Sequence, residues 1–422
     1  MNHVSWQQLL FSRRMLICIF TGFSSGLPLY LLINLVPAWL KTEGVDIKAI
    51  GFFALIQFPY TWKFVWSPLL DRFPILGLGR RRGWMLLTQL GLLAVIAAFG
   101  LFAPQRDLWS IAVLAVGVAI FSASQDIVLD AFRRELLDDI ELGLGNSVHV
   151  NAYRIAGLVP GSLSLILADH LAWSSVFVIT ALFMLPGVMM TLLVREPQRA
   201  VVPKTLREAV VEPFHEFITR QGWRSALLIL GFIFFYKLGD SMATALATPF
   251  YMEMGFSKTD IGIIAKNVGL WASVGGGLLG GIWMVKLGIN RALWLFGLVQ
   301  LLSILGFVWL TGTGPDRLAL ALVIGFEALG VGLGTAAFTA FIARCSDPRY
   351  TATQFALFTS LAAVPRTFFN ASTGYLVAQF GWSGFFWLCT ALAIPGMLLL
   401  WWVAPWQEET QVNGVLPEAD GK

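Results

Sequence analysis

Long, uninterrupted apolar runs constrain this chain more than any other feature of its sequence. A helix needs about 20 residues to cross a hydrocarbon core of about 30 Å. Twelve runs of roughly that length lie near residues 15–40, 47–70, 83–103, 108–131, 147–168, 173–194, 223–251, 258–284, 291–312, 317–343, 351–377 and 382–405. A transmembrane β-barrel needs shorter segments of alternating polarity. The runs therefore predict an all-α polytopic membrane protein.

The low charge content supports this prediction. Charged residues make up 13% of the 422 positions and hydrophobic residues 57%, whereas a soluble domain carries about 25% charged residues. The net charge of +4 is spread over loops, so it does not indicate nucleic-acid binding. The three cysteines lack metal-ligand spacing. We expect neither a metal site nor a cofactor.

The longest polar segment divides the runs into two sets of six. We expect residues 1–194 to form an N-terminal six-helix bundle, 195–222 an inter-half linker, 223–406 a C-terminal six-helix bundle and 407–422 a polar tail. If the N-terminus is cytoplasmic, the loops and tails on that side hold 19 of the 29 Lys and Arg, against five on the opposite side. The positive-inside rule then places both termini, the linker and the tail in the cytoplasm.

The two halves resemble each other at an offset of about 210 residues. Pro37-Ala38-Trp39 corresponds to Pro249-Phe250-Tyr251, and Trp173-Ser174 corresponds to Trp382-Ser383. Parallel repeats of six helices around a central cavity are typical of the major facilitator superfamily. The sequence therefore predicts that fold, with about 12 transmembrane helices as 6+6 pseudo-repeats.

A charged motif follows the second apolar run. Ser67-Pro68-Leu69-Leu70-Asp71-Arg72 and then Gly79-Arg80-Arg81-Arg82-Gly83 resemble the superfamily's loop signature of Gly, Asp, Arg, Gly, Arg and Lys or Arg. We expect a cytoplasmic gate in which arginines hold a carboxylate near helix ends. Its residues would be Asp71, Arg72, Arg80, Arg81 and Arg82. A basic loop without a gate would explain the same residues.

Four carboxylates in or at the edge of predicted spans are candidates for proton coupling. They are Asp126, Asp130, Asp240 and Glu327. A carboxylate in a membrane helix is costly unless it is paired or faces water, and desolvation can bring its protonation close to neutral pH. Asp126 and Asp130 are four residues apart and share a helix face. Each carboxylate could instead belong to a structural ion pair, and Asp130 lies close to the arginines that end its span.

The basic residues inside the spans predict an anionic substrate, because they outnumber the deep acids. They are Lys63, Arg154, Lys237, Lys266 and Arg366. Arg154 and Arg366 have comparable depths in the fifth and eleventh helices and could clamp carboxylates from both sides. Other polar and aromatic side chains suit contact with a sugar, although packing is the commoner role of each. They are Asn34, Gln57, Tyr60, Gln125, Tyr236, Asn267, Trp271, Gln354 and Asn370.

Seven stretches of the sequence together resemble the AmpG-type muropeptide permeases of the major facilitator superfamily. They are Gly22–Leu29, Lys63–Arg72, Gly79–Trp84, Ser122–Asp130, Tyr153-Arg154, Tyr236–Asp240 and Ala352–Leu357, and they span nearly the whole chain. The Ser122–Asp130 stretch alone also resembles acyl-CoA transporters.

The resemblance implies a secondary transporter of the bacterial inner membrane. Its substrates would be anhydromuropeptides, which are N-acetylglucosaminyl-anhydro-N-acetylmuramyl peptides, imported from periplasm to cytoplasm. The proton gradient would drive import without a cofactor, for peptidoglycan recycling and β-lactamase induction. We expect a monomer whose partners are this anionic sugar-peptide, protons and the lipid bilayer. A facilitator of another anionic solute, such as an acyl-CoA, and a membrane-embedded transferase remain alternatives, although the sequence has no convincing catalytic cluster.

Overall fold

The computed structural model describes residues 12–45, 56, 58–75, 77–196, 211–256, 260–347, 349–364 and 368–406. Helices account for most of these residues, and none of them forms a strand. Nine helices within these ranges are long and apolar enough to cross a membrane. The prediction of an all-α polytopic protein is confirmed.

The first half contains six helical segments, of which the second is described only in part. They are α1 (Arg13–Thr42), α2 (58–72), α3 (Arg80–Leu101), α4 (Pro104–Leu136), α5 (Asp139–Ala168) and α6 (Trp173–Leu193). A short linker helix, Glu212–Gln221, precedes the second half.

Two glycines divide long helices in the second half into separate spans. The segments are α7 (223–253), α8 (261–287), α9 (289–310), α10 (Arg317–Cys345), α11 (351–364 and 368–380) and α12 (382–403). Gly288 has a φ of 74° and Gly381 a φ of 67°. Only glycine adopts this left-handed conformation readily, so each glycine turns the chain between two spans. The nine long helices therefore contain more than nine crossings.

Matching aromatic clusters relate the two halves. In the first half, the Trp39 ring lies 6.2 Å from Phe99 and 4.8 Å from Phe177. In the second half, the Phe250 ring lies 6.2 Å from Phe307 and 4.9 Å from Phe386. The interplanar angles also agree, at 86° and 70° against 83° and 72°.

These clusters confirm the repeat and correct its register by one residue. The sequence comparison matched Trp39 with Tyr251, but the structural counterpart of Trp39 is Phe250. Both positions are aromatic, so the sequence pattern alone did not distinguish them.

The hydrophobic cores differ between the two ends of the bundle. We call the end that carries Arg13, Arg72 and Cys345 the terminal end, and the end that carries Thr42, Leu101 and Glu253 the far end. At the far end each half has a core of its own. At the terminal end the cores contain residues of both halves. Within the described residues, apolar packing therefore joins the halves at the terminal end.

Two helices extend further at the terminal end than the apolar runs indicated. The predicted fourth span ended at residue 131 and the fifth began at 147, whereas α4 continues to Leu136 and α5 begins at Asp139. A capping box starts α5, because the Glu141 carboxylate accepts a hydrogen bond of 3.1 Å from the backbone N–H of Asp138. The Arg14 guanidinium lies 2.7 Å from Asp138 and 2.5 Å from Glu141 and balances their charge. Paired charges are compatible with helix here, although they interrupt the hydrophobic pattern.

Candidate functional site

Asp71 is the centre of a buried polar site at the terminal end. Its Oδ1 accepts a hydrogen bond of 2.8 Å from Arg81, and both side chains are 0% exposed. Its Oδ2 accepts two bonds of 2.7 Å from Thr353, one from the backbone N–H and one from the hydroxyl. Thr353 lies in the first turn of α11, where free N–H groups and the helix dipole favour an anion. Asp71 therefore links the two halves.

Arg81 is held on its other side by Glu135 at the end of α4. The two side chains are 2.7 Å apart, and Arg80 also contacts Glu135 at 3.2 Å. Three of the predicted gate residues, Asp71, Arg80 and Arg81, thus belong to one buried network. A buried ion pair needs such additional hydrogen bonds to offset its desolvation.

The two remaining gate candidates, Arg72 and Arg82, lie outside this network. Arg82 donates to the carbonyl oxygens of Thr191 and Leu192 at the end of α6, as a cation near a helix C-terminus is expected to do. The Arg72 guanidinium lies over the Phe73 ring at 5.1 Å. Neither arginine is paired with Asp71 among the described residues.

Three further hydrogen bonds cross between the halves. Arg134 donates to the Ala343 carbonyl at 2.8 Å, and Ser147 donates to the Gly277 carbonyl. Deeper in the bundle, Arg154 on α5 donates to the Ser273 carbonyl on α8 at 2.9 Å. These bonds follow α4 and α5 from the terminal end toward the middle of the protein.

The first-half cluster surrounds Asp126 on α4. Ser25 on α1 donates a hydrogen bond of 2.5 Å to Asp126 Oδ1. Lys63 on α2 is buried, and it interacts electrostatically with Asp126. The Tyr60 hydroxyl lies close to Asp126 and Ser122. Asp126, Lys63 and Tyr60, which the sequence singled out separately, are therefore neighbours.

Asp130 has a structural partner one helical turn further along α4. Arg133 donates to Asp130 at 2.7 Å and to Asn146 on α5, also at 2.7 Å. The sequence analysis gave a structural ion pair with a nearby arginine as the alternative role of Asp130, and the structure contains such a pair. Asp130 is partly buried and remains four residues from Asp126 on the same helix.

The second-half cluster contains both acids and bases. Lys237 Nζ and Asp240 Oδ2 on α7 are 3.5 Å apart, which agrees with their three-residue spacing. Glu327 on α10 interacts electrostatically with Asp240, Lys237 and Arg154. Arg154 comes from the first half, so the cluster joins residues of both halves. Glu327 has no ion pair within 4 Å among the residues that the structure describes.

A cavity of about 380 Å³ lies beside this cluster, between α7, α8 and α10. Asp240 and Glu327 line it, together with Tyr251 and Ser273. Tyr251 is close to the end of α7, so the cavity lies toward the far end of the bundle. Charged, hydroxyl and aromatic groups together can bind a ligand that carries both ionic groups and sugar rings.

Gln354, one of the predicted binding residues, lies far from the cavity of about 380 Å³. The structure places it at the terminal end, where its Nε2 donates to the Pro213 carbonyl and to Glu216 at 2.8 and 2.7 Å. Its Oε1 accepts from the backbone N–H of Asp347. Gln354 is 1% exposed. Its amide joins the linker helix to α11 and does not line the cavity.

A charged pair lies beside this junction, in the loop between α10 and α11. Burial of Asp347 opposes its ionisation, but hydrogen bonds from Arg349 hold the pKa of Asp347 below its usual value. Arg349 also lies 3.9 Å from Glu216 of the linker helix.

Tyr236 and Gln125 also do not line the cavity of about 380 Å³. The Tyr236 hydroxyl donates to the Leu293 carbonyl on α9, and its ring stacks on Phe338 at 5.5 Å. Gln125 is fully buried and donates to Ser24 on α1 at 2.8 Å. Aromatic and amide side chains near a charged motif were therefore poor indicators of cavity lining.

The remaining candidates have varied positions. Asn370 on α11 lies 3.4 Å from Ser241, next to Asp240. Asn34 is half-buried in a π-helical stretch of α1. Asn267 and Trp271 are exposed on α8. Gln57, Arg366 and the side chain of Lys266 lie outside the described part of the structure, so the paired clamp of Arg154 and Arg366 stays a prediction.

The sequence reasoning did not identify several partners in these clusters. Glu135 was assigned to a loop because α4 was expected to end earlier. Ser25 and Thr353 have small hydroxyl side chains, which are common in membrane helices and carry no charge signal. Only the folded structure brings Asp71 and Thr353 together, because they are 282 residues apart.

Comparison with known sequences gives matches over most of the chain. The sequence profile of the Major Facilitator Superfamily matches residues 18–370. A Haemophilus influenzae protein described as uncharacterized is 52% identical over 95% of this chain and 96% of its own length. The anhydromuropeptide permease of Escherichia coli K12 is 42% identical over 95% of this chain and 82% of its own length.

A solved structure supports the same fold. The crystal structure of the human organic anion transporter MFSD10 superposes with a TM-score of 0.70, over 92% of this chain and 99% of that chain. The two sequences are only 16% identical.

Proposed function

The chain belongs to the major facilitator superfamily and, within it, to the AmpG-type muropeptide permeases, and we propose that it imports anhydromuropeptides together with protons. It is a transporter and not an enzyme. In this proposal the substrate moves from the periplasm to the cytoplasm across a bacterial inner membrane. The imported fragments would then serve peptidoglycan recycling and the induction of β-lactamase.

The sequence relationship to the Escherichia coli anhydromuropeptide permease carries this proposal. The match is 42% identical and extends over 95% of the chain, so the aligned region includes both halves. The charge clusters fit the same substrate, because a muropeptide combines anionic carboxylates with two sugar rings.

Substrate binding is assigned to the second-half cluster. Arg154 and Lys237 are partly buried cations beside a cavity of about 380 Å³. Cations of this kind favour carboxylate ligands, and a guanidinium can bind them in a bidentate manner. Tyr251 and Ser273 of the same cavity offer an aromatic ring and a hydroxyl to the sugars. The lining residues Asp240 and Glu327 keep the empty site from being strongly positive.

Proton coupling is assigned to the deep carboxylates. Asp126, Asp240 and Glu327 each lie near a cation of the same cluster. A carboxylate that changes protonation can release or recruit such a cation. The same cation can then bind the substrate in one state and the carboxylate in the other. This exchange would couple the proton to the anion.

Alternating access would depend on the gate at the terminal end. If that end is cytoplasmic, as the positive-inside rule predicts, the large cavity faces the periplasm while Asp71 and Thr353 hold the cytoplasmic side closed. Inward opening would break the bonds that Asp71, Arg134 and Ser147 make across the halves.

Uptake into inverted and right-side-out vesicles tests the transport proposal. Labelled anhydromuropeptide should accumulate in right-side-out vesicles that have an inward proton gradient, and an uncoupler should abolish the accumulation. Labelled acyl-CoA serves as the competing substrate. Accumulation of the acyl-CoA without the muropeptide, or accumulation that the uncoupler leaves unchanged, would contradict the proposal.

Neutral variants test the carboxylates separately. Asp240→Asn and Glu327→Gln should retain exchange of labelled for unlabelled substrate but lose accumulation driven by the proton gradient. Asp126→Asn is the first-half counterpart in the same assay. If all three variants accumulate substrate with the wild-type pH dependence, the assignment to these carboxylates is wrong.

A further inference from the structure

A second, much smaller cavity lies on another side of Asp240. Its volume is about 10 Å³, and it lies between α7, α9 and α12, whereas the large cavity lies between α7, α8 and α10. Tyr236, Asp240, Gly297 and Gln300 are among its lining residues. Asp240 therefore has access to both cavities.

Two buried polar atoms of opposite type belong to the residues that line this cavity. Asp240 Oδ1 is a hydrogen-bond acceptor and Gln300 Nε2 is a donor, and neither has a partner among the described residues. Asp240 is 8% exposed and Gln300 is 3% exposed. A buried polar group without a hydrogen bond costs about 1–3 kcal/mol. Two complementary groups of this kind at one cavity indicate a shared ligand.

We infer that an ordered water molecule occupies this cavity and joins Gln300 on α9 to Asp240 on α7. One water needs a cavity of about 10–15 Å³ and two to four polar partners. The water accepts a hydrogen bond from Gln300 Nε2 and donates one to Asp240 Oδ1. The cavity has the volume and the pair of groups that such a water needs.

Tyr236 supplies the third partner. Its hydroxyl donates its own proton to the Leu293 carbonyl at 3.0 Å, which leaves the oxygen free to accept. A Cβ added at Gly297 would lie 3.0 Å from the Tyr236 oxygen, so this oxygen is next to a residue of the cavity wall. The second hydrogen of the water can therefore bond to Tyr236. Three hydrogen bonds are typical of a buried water.

Gln89 on α3, a buried glutamine of the first half, has a different partner and is not the counterpart of Gln300. The matched rings of Phe99 on α3 and Phe307 on α9 are 208 residues apart, so Gln300 corresponds to Leu92. The hydroxyl of Thr191 on α6 donates directly to Gln89 Oε1 at 2.8 Å. Position 29, which is 211 residues before Asp240 in the register of Trp39 and Phe250, is a leucine and has no carboxylate. The pairing of glutamine with a carboxylate is therefore particular to the second half.

The water gives Gln300 a role in transport that rests on the proposed function. It fixes the rotation of the Asp240 carboxylate, so that Oδ2 stays 3.5 Å from Lys237 Nζ beside the large cavity. Without the water, Oδ1 has to find another donor, and the carboxylate turns away from Lys237. Gln300 is thus a positioning residue, because it acts on the substrate cation through water and Asp240.

A high-resolution structure of the full-length wild-type protein tests the water directly. We expect a solvent peak at about 2.7–3.2 Å from both Asp240 Oδ1 and Gln300 Nε2, and no such peak in Gln300→Leu. Direct contact between the two side chains, or an empty cavity in the wild type, would overturn the inference. This measurement needs no substrate, so it stands even if uptake of muropeptide fails.

Transport kinetics test the positioning role, with Gln89→Leu as the matched control. Gln300→Leu should raise the apparent KM for uptake roughly three- to ten-fold, because one hydrogen-bonded water is lost, at a little-changed maximal rate per folded protein. Gln89→Leu removes a similarly buried amide and should leave KM unchanged. An equal rise in KM for both variants would reduce Gln300 to a structural residue.

Gly297→Ala provides a second variant in case Gln300→Leu does not fold. Its methyl group would displace the Met397 sulfur and crowd Tyr236 and the cavity, while Gln300 stays intact. We expect the same rise in KM and the loss of the solvent peak. A variant that loses the peak but keeps the wild-type KM would contradict the positioning role.

Discussion

At the scale of single residues, Asp71 combines two tasks in one carboxylate. One oxygen pairs with Arg81 of its own half and the other accepts both bonds from Thr353 of the opposite half. Because the side chain is fully buried, no water can replace these partners while the gate is closed. Much of the closing interaction at this point therefore depends on one residue.

Asp71→Asn should weaken the closed terminal end. Removal of one partner of a buried ion pair costs about 3–5 kcal/mol, and the variant also leaves Arg81 short of an acceptor. We expect a cysteine introduced at the buried Ala352 to react with a maleimide at least tenfold faster, and uptake to fall. Arg72→Gln is the control, because Arg72 follows Asp71 at the end of α2 but only covers the Phe73 ring.

Thr353→Val refines this comparison at the same contact. It removes the hydroxyl donor but keeps the backbone N–H, so its effect on labelling should be intermediate. If Asp71→Asn and Thr353→Val have equal effects, the pairing of Asp71 with Arg81 does not contribute to closure.

At the scale of helices, α1 and α5 pack with almost no space between their backbones. A Cβ added at Gly22 or Gly26 would collide with the backbone carbonyl of His149 or Tyr153. Glycines four residues apart lie on one helix face and allow such close approach in membranes. The contact fixes α1, which carries Ser25, against α5, which carries Arg154.

Gly26→Ala should therefore destabilise the protein, because the rigid Tyr153 backbone has to move. Overpacking of this kind costs about 1–3 kcal/mol. Gly275→Ala on α8 is the control, since its added Cβ would meet no atom within 4 Å. Thermal unfolding in detergent, followed by size-exclusion chromatography, measures the difference. A similar melting temperature for both variants would mean that α1 and α5 separate easily.

The linker helix offers a second prediction at this scale. Gln354→Ala removes its hydrogen bonds to Pro213 and Glu216. We expect faster hydrogen exchange in the helix Glu212–Gln221 and an unchanged KM for uptake. A raised KM with unchanged exchange would return Gln354 to the substrate site.

The same junction should resist mild acid. The folded-state pKa of Asp347 is lowered, so its pairing stabilises the junction above the ordinary carboxylate pKa of about 4 and is lost only as the pH falls below it. Exchange of the linker helix in the wild type should therefore be insensitive to pH between about 5 and 8, after correction for the intrinsic exchange rate.

The sequence predicted the features that depend on residues close together in the chain, and it missed the contacts between residues far apart in the chain. The spans follow from apolar length, and the Lys237–Asp240 pair follows from spacing within one helix. The Asp71–Thr353 bond, the Glu135 contact with Arg81 and the Arg154–Ser273 bond need the tertiary packing of separate helices. Gln354 and Tyr236 do not line the cavity of about 380 Å³, and residue type alone does not specify which side of a helix faces a cavity.

At the scale of the whole molecule, the two halves are joined at one end and have separate cores at the other. Gly143 on α5 and Met284 on α8 are in contact at the joined end, where a Cβ on Gly143 would lie 2.9 Å from that of Met284. A disulfide needs Cβ atoms about 3.5–4.5 Å apart, so a small shift of α8 accommodates one.

The double variant Gly143→Cys/Met284→Cys should lock the protein in this conformation. We expect oxidation to abolish uptake and reduction to restore it, in a background where Cys18, Cys345 and Cys389 are replaced by alanine. A control pair within one half, Gly280→Cys/Ala336→Cys, should leave uptake unaffected by oxidation. Full activity of the oxidised interhalf variant would exclude movement between α5 and α8 during transport.

Arg154 belongs to the first half by sequence, but its hydrogen bond to Ser273 reaches into the second half. Its guanidinium keeps its charge under all physiological conditions, and its hydrogen bond to the Ser273 carbonyl crosses the seam along which the halves separate. When the seam opens, the arginine needs another acceptor. In the proposed mechanism an anionic substrate supplies one, while Glu327 and Asp240 are the carboxylates that interact with Arg154 in the empty carrier. If transport is coupled to protons as proposed, the bond to Ser273 therefore works against slippage, in which the carrier reorients empty and dissipates the gradient.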